Sequence, residues 1–290
     1  ANNATIALDT TTNAFTGAVT LTTNDNDGTD ADATIDGGTT ALVIAESTVV
    51  GNLTLTSGNA SGITDSGTLT IGGNLSATTD AGDGVVNLGT LAVDGTIALA
   101  TNGTGDALVV NDAGLTFAAS AVGQDLTATA TTGNIIDNAA VSVGRNLAVT
   151  ATADDGTVNL GTLEVDGTIA LTTNGTNGNV TLVNDVGLAF AASTVDGTLS
   201  ATATTGNMTD SGALAISGTS AFITSANNAT IALDTTTNAF TGAITLTTND
   251  NDGTVAHATI DGGTTALVIA ESTVVGNLTL TSGNASGITD

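Results

Sequence analysis

Carboxylates are the most abundant reactive groups in this sequence, and they are densest in the segment 24–32, which reads N-D-N-D-G-T-D-A-D. The aspartates of this segment are Asp25, Asp27, Asp30 and Asp32. Alternating Asp and Asn before a Gly resemble half of a calcium-binding loop, because Ca²⁺ takes oxygen ligands. A second copy of the segment keeps Asp250 and Asp252. These residues are predicted to bind Ca²⁺ weakly, although the full EF-hand spacing is absent, and the alternative is a polar loop without a ligand. No other cofactor is predicted.

Other catalytic side chains are scarce. His257 is the only histidine, and the other copy of its segment carries Asp32 at the equivalent place. Arg145 is the only basic residue, and it is expected in a solvated turn. The chain contains no Cys and no Lys, which excludes thiol chemistry, thiolate metal sites and Schiff bases. We therefore predict that the protein is not an enzyme.

One enzymatic alternative stays open. Parallel β-helices include pectinase-like hydrolases and lyases, whose acid–base work uses paired carboxylates. A cleft with carboxyl groups about 5–10 Å apart would favour such a carbohydrate-active enzyme. The near absence of basic residues counts against it, because acidic sugars need cationic partners.

The overall charge limits the possible partners. There are 28 Asp and Glu against one Lys or Arg, which gives a formal net charge of −27. Such a chain repels phosphate backbones, so nucleic acid is not expected as a partner. No run of 18 apolar residues occurs, so no transmembrane helix is predicted. Hydrophobic residues make up 40% but aromatic residues only 2%, so the core must consist of small aliphatic side chains.

The sequence repeats itself at two levels. Residues 1–65 recur as 226–290 with three differences, which are Val19/Ile244, Asp30/Val255 and Asp32/His257. The interval from position 1 to position 226 is therefore the period of the long repeat. Shorter matches divide this period into sub-repeats at about 65–136, 137–209 and 210–289. We predict one continuous repetitive structure over 1–290, because repeats of this kind bury their hydrophobic faces against each other.

A step of about 22 residues underlies the repeats, which is the length of one small supersecondary unit. Short strands with alternating apolar residues follow one another, and Asp-Gly and Asn-Gly pairs, as at 83–84 and 102–103, separate them. An antiparallel sandwich is the rival fold, because Asn-Gly also favours hairpins. The short step and the shortage of aromatics favour an all-β, right-handed parallel β-helix, with longer turns carrying insertions near 102–110, 174–183 and 249–266. A single internal ladder is predicted from Leu53, Leu75, Ile97, Leu126, Leu147, Ile169, Leu199, Ile244 and Leu278.

The amino-acid pattern of these turns also allows a comparison with a known family. Stretches such as GNLTLTSGNASGITDSGTLTIGGNLSATT and GTIALTTNGTNGNVTLVN resemble the shaft repeats of filamentous-haemagglutinin-like giant bacterial surface adhesins. The resemblance covers essentially the whole chain. It implies a structural or adhesive fibre at the extracellular cell surface. Its partners would be identical repeats of the same long chain, through lateral or end-to-end association, and a host or neighbouring cell surface.

Overall fold

The computed structural model describes residues 3–25, 31–80, 82–251 and 255–290. Within these ranges the fold is all-β and contains no helix. Parallel strands stack as a β-solenoid of about 12 turns with a spacing of about 21 residues, which confirms the predicted fold class. The chain comprises two compact units, Ala1–Arg145 and Asn146–Asp290.

The first unit contains the strands β1 to β16. In chain order they are Ile6–Leu8, Ala33–Asp36, Leu42–Ile44, Ser47–Val49, Leu53–Ser57, Ile63–Asp65, Leu69–Ile71, Leu75–Thr79, Val86–Val93, Thr96–Ala100, Ala107–Asn111, Leu115–Phe117, Ser120–Val122, Leu126–Ala130, Ile135–Asp137 and Val141–Val143.

The second unit contains the strands β17 to β33. In chain order they are Leu147–Asp154, Val158–Val165, Thr168–Asn174, Val180–Asn184, Leu188–Phe190, Ser193–Val195, Leu199–Ala203, Met208–Asp210, Leu214–Ile216, Ser220–Asn227, Ile231–Leu233, Ala239–Phe240, Ile244–Asn249, Ala258–Asp261, Leu267–Val268, Leu278–Thr281 and Ile288–Thr289.

The alternation of side chains explains the interior. In β5, Leu53 and Leu55 are buried, whereas the threonines between and after them are only partly covered. The same alternation recurs in β8, and the two strands pair in parallel with Leu53 opposite Leu75. Like residues therefore stack on like residues from one turn to the next. Both strands pair with the turns on either side, β5 with β2 and β8, and β8 with β5 and β10, which is the geometry that a solenoid needs.

The predicted single ladder is wrong. Leu53, Leu75 and Ile97 do form one ladder, since Leu75 is opposite both of the others in successive turns. Leu126, however, is opposite Ala107 in a different sheet of the same unit. In the second unit Leu147 and Ile169 line one sheet, Leu199 and Ile244 line another, and Leu278 is opposite Ala258. The physical reason is that every inward position accepts a small aliphatic residue, so the same strand motif fits more than one side of a turn.

This correction also changes the predicted insertions. The segments 102–110 and 174–183 lead into β11 and β20, which are ordinary paired strands of the solenoid. The segment 249–266 does lie near a longer turn, since the interval between Ile231 and its partner Ala258 is wider than that between the partners Leu53 and Leu75. Residues 252–254 of that segment lie outside the described residues.

Three of the five phenylalanines line the interior of the second unit. Phe190, Phe222 and Phe240 are fully buried. Their rings meet edge to face, with centroids 6.3 Å apart for the first pair and 5.9 Å apart for the second. This short aromatic column replaces several layers of small aliphatic residues, and aromatic pairs of this geometry stabilise a core beyond their buried area.

Candidate functional site

The predicted calcium residues divide between described and undescribed positions. Asp25, Asp32 and Asp250 are described. Asp27, Asp30 and Asp252 lie outside the described residues. Among the residues that the structure describes, no group of three or more His, Asp or Glu side chains could hold a metal ion. Weak Ca²⁺ binding at these loops therefore stays a prediction.

Asp32 forms hydrogen bonds between two successive turns. Its Oδ1 accepts a hydrogen bond from the backbone N–H of Asn52 at 2.7 Å and a second one from the Asn52 side-chain amide at 3.1 Å. In the other copy of the repeat, Nδ1 of His257 accepts from the backbone N–H of Asn277 at 2.9 Å. Aspartate and histidine thus perform the same task, which explains how this position differs between copies without disturbing the fold.

The same bond continues along the corner of the first unit. Oδ1 of Asn52 accepts from the backbone N–H of Asn74 at 2.8 Å. Oδ1 of Asn74 in turn accepts from both the backbone N–H and the hydroxyl of Thr96, at 2.8 and 3.0 Å. We call the column Asp32, Asn52, Asn74 and Thr96 the corner ladder. Each member stands immediately before or at the start of a strand, and the side chains of the first three bind the following turn.

The second unit uses equivalent pairs. Each pair joins an asparagine Oδ1 to the backbone N–H of a threonine in the next turn, at 3.0, 2.8 and 2.9 Å. The pairs are Asn146 with Thr168, Asn179 with Thr198, and Asn207 with Thr230. Side chains that accept a hydrogen bond from the backbone of the next turn therefore occur in both units.

Aspartates also cap bends in the following turn. Both carboxylate oxygens of Asp65 are used, since Oδ1 accepts from the backbone N–H of Gly89 and Oδ2 accepts from the backbone N–H and hydroxyl of Thr90. Asp210 binds the backbone of Asp234 and the side-chain amide of Asn238 in the same manner. These carboxylates are therefore occupied by the chain itself.

Two further aspartates stand in left-handed turns. Asp83 has φ of 64° and Asp155 has φ of 61°, a region that Asp tolerates better than most residues. The hydroxyl of Thr104, and then its backbone N–H, lower the pKa of the Asp83 carboxyl by donating to it. The backbone N–H and the side-chain amide of Asn177 lower the pKa of Asp155 in the same way. Hydrogen bonds to the charged form are the cause in both cases.

Arg145 is paired as well as exposed. The sequence predicts a solvated turn residue, and its side chain is 53% exposed. Its Nε donates to Oδ1 of Asp125 at 2.7 Å, and its terminal nitrogen donates to Oδ2. The hydrogen bond to Asp125 raises the pKa of the Arg145 guanidinium. This guanidinium thus forms a two-pronged surface ion pair, which the sequence did not indicate.

The surface grooves do not gather these carboxylates into a cleft. A groove of about 600 Å³ is lined by Phe15, Thr16, Gly17, Ala18, Thr39, Thr40, Ala41, Val43 and Asn59, and so contains no titratable side chain among these described residues. A second groove of about 360 Å³ includes Asp106 and Asp125. Oδ1 of Asp106 accepts from the backbone N–H of Asp125, and Asp125 pairs with Arg145. This arrangement does not favour the carbohydrate-active enzyme.

Buried asparagines are the structural residues that the sequence reasoning missed. Asn111 and Asn184 occupy equivalent places in two sub-repeats, and both are buried. Each occurs in the repeated motif V-N-D-x-G-L, at 110–115 and 183–188. That recurrence is the signal that could have identified them, because an Asn kept between apolar neighbours indicates a bonded interior position.

Comparison with known proteins adds one finding. Residues 104–155 and 177–247 match a family described as repeats of unknown function (DUF5649). The matched segments fall in both units and support a repeat-rich β-helical protein. No curated protein and no solved structure is detectably similar to the chain. None of the described residues forms a helix long and apolar enough to cross a membrane.

Proposed function

We propose that this chain is a structural segment of an extracellular fibre that resembles the shafts of filamentous-haemagglutinin-like surface adhesins. The observation that supports the structural role is that polar side chains bind the neighbouring turn. The corner ladder and the caps of Asp65 and Asp210 bind the next turn instead of converging on a cleft. A chain built in this way keeps a constant spacing between its turns, and its function is mechanical.

The repeat adds support to this role. Between the two copies, the described inward positions keep their residues except for Val19, which becomes Ile244. The acidic surface, with a net charge of −27, keeps a long rod soluble. Both features suit a long extended protein better than a protein built around one binding cleft.

Fibre diffraction tests the structural role. Oriented native material should give a strong reflection at about 4.8 Å along the fibre axis, because the strands run across it and stack at that spacing. A control sample of heat-unfolded protein should lose the reflection. A reflection at this spacing perpendicular to the axis, or none, would contradict the role.

Surface exposure and adhesion need a separate test. Protease added to intact producing cells should remove the chain, while a cytoplasmic marker protein in the same cells survives. Beads coated with the purified chain should bind to host or neighbouring cells more than beads coated with an equally acidic control protein. Protection of the chain until the cells are lysed would refute the extracellular location, and equal bead binding would refute adhesion.

A further inference from the structure

The tetrapeptide T-N-G-T occurs at equivalent places in two sub-repeats, at 101–104 and at 173–176. Each copy contains an Asn-Gly bond, and a third Asn-Gly bond follows at 177–178. Asparagine loses its side-chain nitrogen most readily before glycine, because glycine has no side chain to hinder attack by its own backbone nitrogen. The two tetrapeptides are identical, so any difference in their reactivity in the folded chain must come from the surrounding structure.

The fold restrains Asn174 on two sides. This residue ends β19, where it is opposite Asp154 of the neighbouring strand. Its Nδ2 donates to the carbonyl of Thr152 at 2.9 Å, and its carbonyl accepts from the N–H of Asp155 at 2.9 Å. Attack by the next backbone nitrogen needs a rotation of both the side chain and the backbone, so these bonds must break first.

Asn177 is restrained as well. Its N–H donates to Oδ1 of Asp155 at 2.9 Å, and its Nδ2 donates to Oδ2 at 3.1 Å. The attacking group at this bond would be the nitrogen of Gly178, whose N–H donates to the carbonyl of Gly175 at 2.9 Å. Both the amide and its attacker are therefore engaged in hydrogen bonds.

Asn102 stands in a different setting. It lies after the end of β10, and both it and Gly103 are exposed. The carbonyl of Asn102 accepts from the N–H of Gly105 at 3.1 Å, and Gly103 has φ of 62° within this turn. Among the residues that the structure describes, none forms a hydrogen bond with the side-chain amide of Asn102 or with the N–H of Gly103. Both reacting groups are accessible and unrestrained.

Charge does not reverse this difference. Oδ1 of Asp83 lies against Gly103, and Oδ1 of Asp155 lies against Gly175 in the same way. At Gly175 the carboxylate of Asp154 lies equally close. Negative charge opposes the loss of a proton from the attacking N–H, so it slows the reaction at Gly175 at least as much as at Gly103.

We propose that the bond between Asn102 and Gly103 is a self-modification site whose co-reactant is water. The deprotonated nitrogen of Gly103 attacks Cγ of Asn102, the bond from Cγ to Nδ2 breaks, and Nδ2 takes up a proton and leaves as ammonia. Water then adds to either carbonyl of the resulting succinimide ring and breaks the bond from that carbon to the ring nitrogen. The products are aspartate and isoaspartate at position 102.

The modification changes one turn of the first unit. Either product places a new negative charge in the turn that follows Asp83, whose carboxylate binds Thr104. Isoaspartate also inserts a methylene group into the backbone of the turn that the Gly105 N–H closes. This inference goes beyond the proposed function and does not depend on it.

The experiment compares the sites within one molecule. The folded full chain is incubated in mildly alkaline buffer made with heavy-oxygen water, so that oxygen incorporation records conversion during the incubation. Pepsin digestion at low pH and mass spectrometry then give the converted fraction at each site. We expect Asn102 to convert roughly 10-fold faster than Asn174 or Asn177, because restraining hydrogen bonds raise the barrier at the other two. In urea, Asn102 and Asn174 should convert at equal rates, because their tetrapeptides are identical.

Asn102→Gln is the control variant. Its longer side chain would have to close a larger ring, so the signal at position 102 should disappear while the rate at Asn174 stays the same. Equal rates at Asn102 and Asn174 in the folded chain, or conversion of Asn102 only after unfolding, would overturn the proposal. Either result would leave the fibre-diffraction and surface-exposure tests unaffected.

Discussion

The side-chain amide of Asn111 forms the hydrogen bonds with Val93 that the backbone of a paired strand would otherwise form. Its Oδ1 accepts from the Val93 N–H at 2.8 Å, and its Nδ2 donates to the Val93 carbonyl at 3.0 Å. The same Nδ2 donates to the carbonyl of Gly114 at 2.6 Å. Asn184 repeats all three bonds with Val165 and Gly187. The side-chain amide therefore continues the strand pairing where the backbone bends away.

Replacing Asn111 should destabilise the first unit. Asn111→Ala would leave the N–H and carbonyl of Val93 buried without partners, and each such group costs about 1–3 kcal/mol. We expect the free energy of unfolding to fall by about 2–4 kcal/mol in chemical denaturation. Asn87→Ala is the matched control, because Asn87 lies exposed in β9, and it should change stability by less than about 0.5 kcal/mol. Equal effects of the two variants would contradict the role of Asn111.

The aromatic column gives a second prediction. Phe222 contacts the rings of both Phe190 and Phe240, so Phe222→Ala should open a cavity in a packed interior. A loss of about 3–5 kcal/mol is expected in the free energy of unfolding. Phe222→Leu should lose clearly less, because it refills most of the volume. A loss for Phe222→Ala below that of Phe222→Leu would show that the ring contacts do not support the core.

Acid should weaken the turn at Asp83. The pKa of Asp83 is lowered in the folded chain, so its contribution to stability is fully present above the unfolded carboxyl pKa and is lost as the pH falls through the folded pKa. Because the Thr104 hydroxyl is the largest cause, Thr104→Val should raise the pKa of Asp83. The measurement is an NMR titration of the carboxyl carbon. Thr104→Ser is the control and should leave the titration close to that of the parent chain, and an unchanged titration in Thr104→Val would contradict the assigned cause.

The exchange of Asp32 for His257 gives a fourth prediction. His257→Asp keeps an acceptor for the N–H of Asn277 and should leave stability nearly unchanged at neutral pH. His257→Leu removes the acceptor and should lower the free energy of unfolding by about 0.5–1.5 kcal/mol, the net value of one hydrogen bond. Thermal unfolding of the three chains under one buffer condition measures this. If His257→Asp is as damaging as His257→Leu, the bond is not the reason for the interchange.

The fold class was predictable from the sequence, but the sheet to which each strand belongs was not. Alternation in segments such as Leu53–Ser57 and the recurring short step between turns are local properties, and they predict stacked parallel strands. Leu126 was assigned to the wrong sheet because its motif does not encode which side of the turn it occupies. The corner bonds of Asn52 and Asn74 were missed for a different reason, since an Asn before a strand also reads as an ordinary turn residue.

The site predictions met a similar limit. Asp32 reads as a calcium ligand when its neighbours in sequence are considered alone, yet its described partner is Asn52, 20 residues away. The two residues are adjacent in space because one turn of the solenoid separates them along the chain. Charge and composition led us to predict a structural role, but a carboxylate that caps the next turn and one that binds a ligand have the same sequence signature.

The pairing of the repeats has a consequence for how such a gene can change. Ile6 is opposite Ala33, and one period later Ile231 is opposite Ala258, in the same register. The bridge between Val19 and Ile44 likewise returns between Ile244 and Ile269. The register of pairing is thus the same in both copies, although the paired strands belong to one sheet in the first copy and to another sheet in the second. Unequal recombination between copies could then add or delete a whole period while each strand keeps an equivalent parallel partner, and the length of the protein becomes a trait that can vary while the fold is inherited unchanged.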